Sequence, residues 1–114
     1  MKTETMAFVL GLAALSGTAQ AEAWRSLDGA AIQTALEGRK LTYDSGAWQD
    51  FRASGRTLYN AGQDSWGNWG VRGDQYCSQW PPNNLWACYE VEGSENGVRF
   101  IGESGDVTRG TYSD

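Results

Sequence analysis

Gln75-Tyr76-Cys77-Ser78-Gln79-Trp80-Pro81-Pro82-Asn83-Asn84-Leu85-Trp86-Ala87-Cys88-Tyr89-Glu90 reads as two β-prone runs joined at a Pro-Pro-Asn-Asn breaker. Treating Pro81–Asn84 as a four-residue hairpin loop sets the register, with Trp80 opposite Leu85, Ser78 opposite Ala87 and Tyr76 opposite Tyr89. The same register puts Cys77 opposite Cys88, the only two cysteines in the chain. Hairpin and disulfide therefore support each other. In the chain-entropy account, closing this loop of about twelve residues contributes about 3 kcal/mol. Strand alternation then assigns faces. Tyr76, Ser78, Trp80, Leu85, Ala87, Tyr89 and Val91 share the side taken as core or cavity. Gln75, Gln79, Trp86, Glu90 and the disulfide share the other; the opposite assignment would place Trp86 and the disulfide beneath a helix.

The pattern extends in both directions. Runs rich in Tyr, Trp, Thr, Val and Phe fall at Lys40–Asp44, Ala47–Arg52, Thr57–Asn60, Trp66–Arg72, Gln75–Trp80, Leu85–Glu92, Val98–Gly102 and Val107–Tyr112, parted by breakers such as Ser45-Gly46, Gly73-Asp74 and Ser94-Glu95-Asn96-Gly97. Connections this short leave no room for crossover helices, so consecutive strands are antiparallel. The expected fold class is mainly β: an up-and-down meander of about eight short strands closing into a small barrel, which removes both sheet edges. The rival is a flattened or half-open barrel capped by a helix. One N-terminal helix is expected over Leu27–Glu37, with Ser26 as N-cap, Gly38 past its end and small residues Ala31 and Ala35 that let it lie flat on a sheet.

The 114 residues suffice for one domain. Residues 1–21 read as a signal peptide: Lys2, the apolar run Ala7–Leu15, then Ala19-Gln20-Ala21 as a cleavage pattern. The mature domain, 22–114, is thus expected in the periplasm or secreted, with no membrane span after processing because the apolar run is far shorter than the ~20 residues a span needs. In that oxidising setting an even cysteine pair reads as a disulfide. The mature part carries eight basic against thirteen acidic side chains, with Arg39-Lys40 the only adjacent basic pair, so nucleic acid and anionic membranes are excluded as partners.

The chain has no histidine, and with both cysteines bonded no Ser–His, Cys–His or imidazole–metal arrangement can be assembled; two cysteines without a histidine leave tetrahedral ligation incomplete. Asp64, Asp74, Glu90, Glu92, Glu103 and Asp106 are candidate paired carboxylates, but most sit in turn positions where acids are simply solvated. No enzyme, catalytic residue, metal or cofactor is expected. The signal lies in the aromatic surplus: six Trp, five Tyr and two Phe in residues 22–114. Rigid aromatic walls line cavities for apolar compounds, and exposed Trp platforms take sugar rings. Candidate ligand-binding residues are Trp66, Trp69, Tyr76, Trp80, Trp86 and Tyr89; the competing reading has Trp69, Trp80, Tyr76 and Tyr89 filling the barrel as core. In Trp66-Gly67-Asn68-Trp69-Gly70 the alternating glycines mark a bend or a close approach. Arg52, Arg56, Arg72 and Arg99 could pair with an anionic group, but scattered arginines beside Asp and Glu are usually solvated surface.

Gly55-Arg56-Thr57, the Trp-Gly-x-Trp-x-Val strand from Trp66 to Val71, Tyr76-Cys77-Ser78-Gln79-Trp80 and Trp86-Ala87-Cys88-Tyr89 together resemble the layout of a group of small exported proteobacterial proteins of unknown function. The likeness covers nearly all of the mature chain and implies a periplasmic barrel similar in architecture to lipocalins or avidins. It supplies no activity or ligand. A weaker likeness is to small periplasmic barrel inhibitors of secreted metalloproteases, whose inhibitory N-terminal segment has no counterpart in Glu22–Arg25. The expected function is a non-enzymatic barrel that binds a small apolar or aromatic ligand or an envelope component. The alternatives are a protein-interaction or inhibitor module and a Trp-based polysaccharide-binding module.

Overall fold

The computed structural model describes residues 22–114; the expected signal peptide lies outside them. In chain order the elements are β1 (Arg25–Ser26), α1 (Gly29–Leu36), β2 (Lys40–Tyr43), β3 (Trp48–Phe51), β4 (Arg56–Asn60), β5 (Asp64–Arg72), β6 (Gln75–Gln79), β7 (Trp86–Gly93), β8 (Gly97–Ile101) and β9 (Val107–Tyr112). Strands β2 to β9 pair antiparallel with their sequence neighbours. β9 returns to β2 through Gly110–Tyr43, Thr111–Thr42 and Tyr112–Leu41, which closes an eight-stranded barrel. The mainly β fold, the up-and-down order and the closure all match the reading of the sequence. β1 adds two residues to the part of β7 that β6 does not reach.

The hairpin register holds as expected: Tyr76–Tyr89, Cys77–Cys88, Ser78–Ala87 and Gln79–Trp86 are paired, and the cysteine sulfurs lie 2.07 Å apart. The Trp80–Leu85 pair does not form, and Leu85 is 77% exposed rather than on the core side. Pro81 and Pro82 have no amide hydrogen to offer a ladder. The Asn83 amide instead donates to the Trp80 carbonyl, and the Leu85 amide donates to Asn83 Oδ1 at 2.8 Å, so the chain leaves the sheet at Gln79 and rejoins it at Trp86.

Inward positions run through the register as Leu41 and Tyr43, Gln49 and Phe51, Thr57 and Tyr59, Trp69 and Val71, Tyr76 and Ser78, Tyr89 and Val91, and Val98 and Phe100. Phe51, fully buried, sits edge-on to Trp69 and Tyr76 with ring centroids at 5.6 and 5.8 Å. Such aromatic pairs add about 1 kcal/mol each beyond area burial.

The helix does not lie flat on a sheet; it plugs one end of the barrel. Ile32 and Leu36 are fully buried among Leu41, Phe51, Val91 and Val98. Hydrogen bonds anchor the helix to that end: the Gly29 amide to Asp74 Oδ1 (2.8 Å), the Gly38 amide to the Phe51 carbonyl (2.7 Å) and the Tyr112 hydroxyl to the Ala35 carbonyl (2.8 Å). A closed barrel has no free sheet face wide enough for a helix, so its two-residue apolar stripe meets the open ends of the strands instead. The N-cap is Asp28, not Ser26. Asp28 accepts the Ala31 amide at 2.9 Å, while the Leu27 amide, bonded to the Val91 carbonyl at 2.9 Å, keeps the chain extended past Ser26.

Candidate functional site

The opposite end of the barrel is open. There the turns after β2, β4, β6 and β8 surround the mouth of a cavity of about 580 Å³. Its floor is polar and already satisfied. Gln49, only 4% exposed, is held by β3 at an inward position between Ala47 and Phe51. Its carbonyl oxygen accepts the Tyr43 hydroxyl at 2.5 Å, and its amide nitrogen donates to Thr57 Oγ1 at 2.9 Å and to the Tyr76 hydroxyl at 3.3 Å. The Thr57 hydroxyl donates onward to the Asp50 carbonyl at 2.5 Å. Burial pushes the Tyr43 and Tyr76 phenols above their usual ionisation range, so both stay protonated at any ordinary pH.

Above the floor the walls are rings in mutual contact. Tyr43 meets Tyr59 and Phe100 at 6.2 and 6.4 Å, Tyr59 meets Trp80 edge-on at 6.0 Å, and Tyr76 meets Phe100 and Tyr89 at 4.8 and 6.0 Å. Trp80 has left the ladder, and its indole nitrogen donates to Ser78 Oγ at 3.1 Å, folding the ring back toward the barrel. A Cβ at Gly67 would stand 2.5 Å from the Trp80 ring, so this glycine is where the ring packs against β5. The rim carries Ser45, Ser65, Pro81, Asp106 and Thr108. Asp106 is the one charged side chain among the lining residues.

Of the sequence-derived candidates, Tyr76, Trp80 and Tyr89 line this cavity together. Trp66 borders the mouth, but its register with Leu58 places it on the outer face, where Arg52 and Arg56 stack on its ring at 4.8 and 4.9 Å. Trp69 belongs to the core near the plugged end: it is 5% exposed and its indole nitrogen donates to the Arg52 carbonyl at 2.9 Å. Trp86 lies on the outer face with Arg72 at 4.4 Å. The Arg72–Trp86 stack reaches from β5 to β7 across β6, over Cys77, which accounts for an outward sulfur with no exposed area. Trp24 and Trp48 are covered likewise by Arg99 and Lys40 at 4.4 and 4.3 Å.

Sequence reasoning missed Tyr43, Gln49, Tyr59 and Phe100. The available signal was parity in Ala47-Trp48-Gln49-Asp50-Phe51, where a glutamine takes an inward position between two apolar residues.

Two other hollows lie near the plugged end. One, of about 440 Å³, gathers Asp28, Asp74, Glu90 and Glu92, but Asp28 and Asp74 are already engaged by the helix amides of Ala31 and Gly29. The other, about 610 Å³, runs between the helix and Tyr112 over alanines and exposed polar groups. Neither gathers aromatic rings as the mouth cavity does. Among the described residues no group of three or more His, Cys, Asp or Glu side chains is placed to hold a metal ion. No helix there is long and apolar enough to cross a membrane. No protein-family model, curated protein or solved structure matches the chain.

Proposed function

We propose that this chain is a non-enzymatic binding protein, acting in the periplasm or outside the cell, that holds a small ring-bearing molecule in the mouth cavity. The observation that carries this reading is a barrel plugged at one end by α1 and open at the other onto contiguous aromatic walls. A volume of about 580 Å³ falls within the range of small-molecule sites. The floor hydroxyls and amide bond one another, whereas the Tyr59 and Tyr89 hydroxyls higher on the walls have no protein partner among the described hydrogen bonds and are free to meet polar groups of a guest. The disulfide is compatible with an oxidising compartment.

Native mass spectrometry of the protein purified from its own host, against the denatured mass of the same sample, tests the reading. The expected result is a non-covalent adduct lost on denaturation and depleted roughly tenfold in Trp80→Ala, which removes one wall. A bare native mass in wild type would overturn it.

A second reading, a protein-interaction or inhibitor surface, draws on Leu85, Trp66 and Trp86, which are 77%, 41% and 36% exposed beside the mouth. The Arg side chains stacked on both tryptophans leave less ring area for a partner or a sugar than the bare platforms expected from sequence.

A further inference from the structure

The chemistry of the cavity walls narrows the guest further, on the premise that the cavity is the binding site. Aromatic faces carry negative electrostatic potential and attract cations centred within ~6 Å of the ring, most strongly when water is excluded. On the outer face the fold uses this attraction repeatedly: Trp24, Trp48, Trp66 and Trp86 each carry an Arg or Lys of the same chain over the ring. Inside, Tyr59, Trp80, Tyr89 and Phe100 turn their rings on a space with no basic side chain among its lining residues. The one charge among the lining residues is the Asp106 carboxylate, held in the β8–β9 turn by the Ser104 hydroxyl at 2.7 Å. The nearest guanidiniums, Arg52 and Arg56, are taken up on the outer ring of Trp66, and the chain's formal net charge of −5 disfavours anions further. We infer that the cavity selects an organic cation, with an alkylated ammonium group between the rings of Tyr59, Trp80 and Tyr89 and the Asp106 carboxylate facing it from the mouth.

A full positive charge cannot be desolvated without compensation. Here the compensation comes from the aromatic rings lining the cavity and one carboxylate, a combination that a compact ammonium with strong hydration uses poorly and a diffuse, alkylated one uses well. The cavity is larger than a trimethylammonium head alone, so the favoured guest also carries an apolar or aromatic body.

The test uses pairs matched in shape and different in charge: choline against its carbon isostere neohexyl alcohol, and benzyltrimethylammonium against neopentylbenzene. Each is titrated into the folded, oxidised protein and followed by tryptophan fluorescence and calorimetry. The expected result is that each cation binds roughly tenfold more tightly than its isostere and that benzyltrimethylammonium binds more tightly than choline. The cation-to-isostere ratio should shrink several-fold in Asp106→Asn and in Tyr89→Leu, with circular dichroism confirming that both variants are folded. Equal or tighter binding of the neutral partners would overturn the inference and leave the cavity reading standing. Failure of all four probes to bind would also overturn it, and the native-mass experiment then decides the cavity reading separately.

Discussion

Gln49 shows what a single side chain does in this barrel. A primary amide has one carbonyl and two N–H groups. Here the carbonyl takes the Tyr43 hydroxyl, and the amide nitrogen serves Thr57 and Tyr76, tying four strands together at the cavity floor. Leucine at this position fits the volume but removes the partner that Gln49 gives to two buried phenols and a buried threonine hydroxyl. Gln49→Leu is expected to lower the unfolding free energy by about 3 kcal/mol in denaturant titration; a loss below ~1 kcal/mol would show that the network carries little of the stability. Legibility at this scale was uneven. Cys77 and Cys88 were readable because two identical residues had to coincide in one register. Gln49 was not singled out, because a lone glutamine in a short strand is as compatible with solvent as with a core until the inward parity is known. Trp66 and Trp86 were found as unusual residues, yet their outer-face cation stacks depend on which arginines of neighbouring strands fall alongside, and no local pattern carries that.

The elements were more legible than the residues. All eight barrel strands lie within the predicted runs to within a residue or two, because breakers and β-branched or aromatic residues alternate cleanly along the chain. The departures have local causes. Prolines without amide hydrogens widened the β6–β7 loop, and a competing hydrogen bond from the Leu27 amide moved the helix start from Ser26 to Asp28. The second shift makes a clean comparison. Asp28→Ala removes the side chain that accepts the Ala31 amide and should cost about 1 kcal/mol. Ser26→Ala, in an exposed two-residue strand, should change stability by less than ~0.5 kcal/mol. Thermal unfolding of the two variants side by side checks the assignment, and a larger loss for Ser26→Ala would reverse it.

For the whole molecule, closure followed from topology: eight short antiparallel strands in sequence order have no use for two open edges. What the sequence did not convey was polarity, that one end is plugged by Ile32 and Leu36 and the other left open. That outcome depends on where a short helix docks after the barrel forms. The buried phenols of the barrel also make a global prediction about alkaline pH. Tyr43 and Tyr76 ionise at higher pH in the fold than the ordinary tyrosine value of 10.0, chiefly through burial. Below that value both states keep the protons and stability is unaffected; above it the unfolded chain releases them first, so stability falls as pH rises. The expected slope is up to about 1.4 kcal/mol per pH unit for each buried tyrosine. Urea titrations on either side of pH 10 should show it, with a smaller slope in Tyr43→Phe, and a flat profile would mean that the phenols titrate normally.

The plugged pole also gathers both ends of the described chain. Arg25 and Ser26 pair with Gly93 and Glu92 beside it, and the Asp114 carboxylate receives Arg39 Nε at 2.8 Å just past the helix. A tether, a fluorescent reporter or a solid support joined directly at Glu22 or Asp114 would hold the barrel by its base and leave the mouth facing away from it.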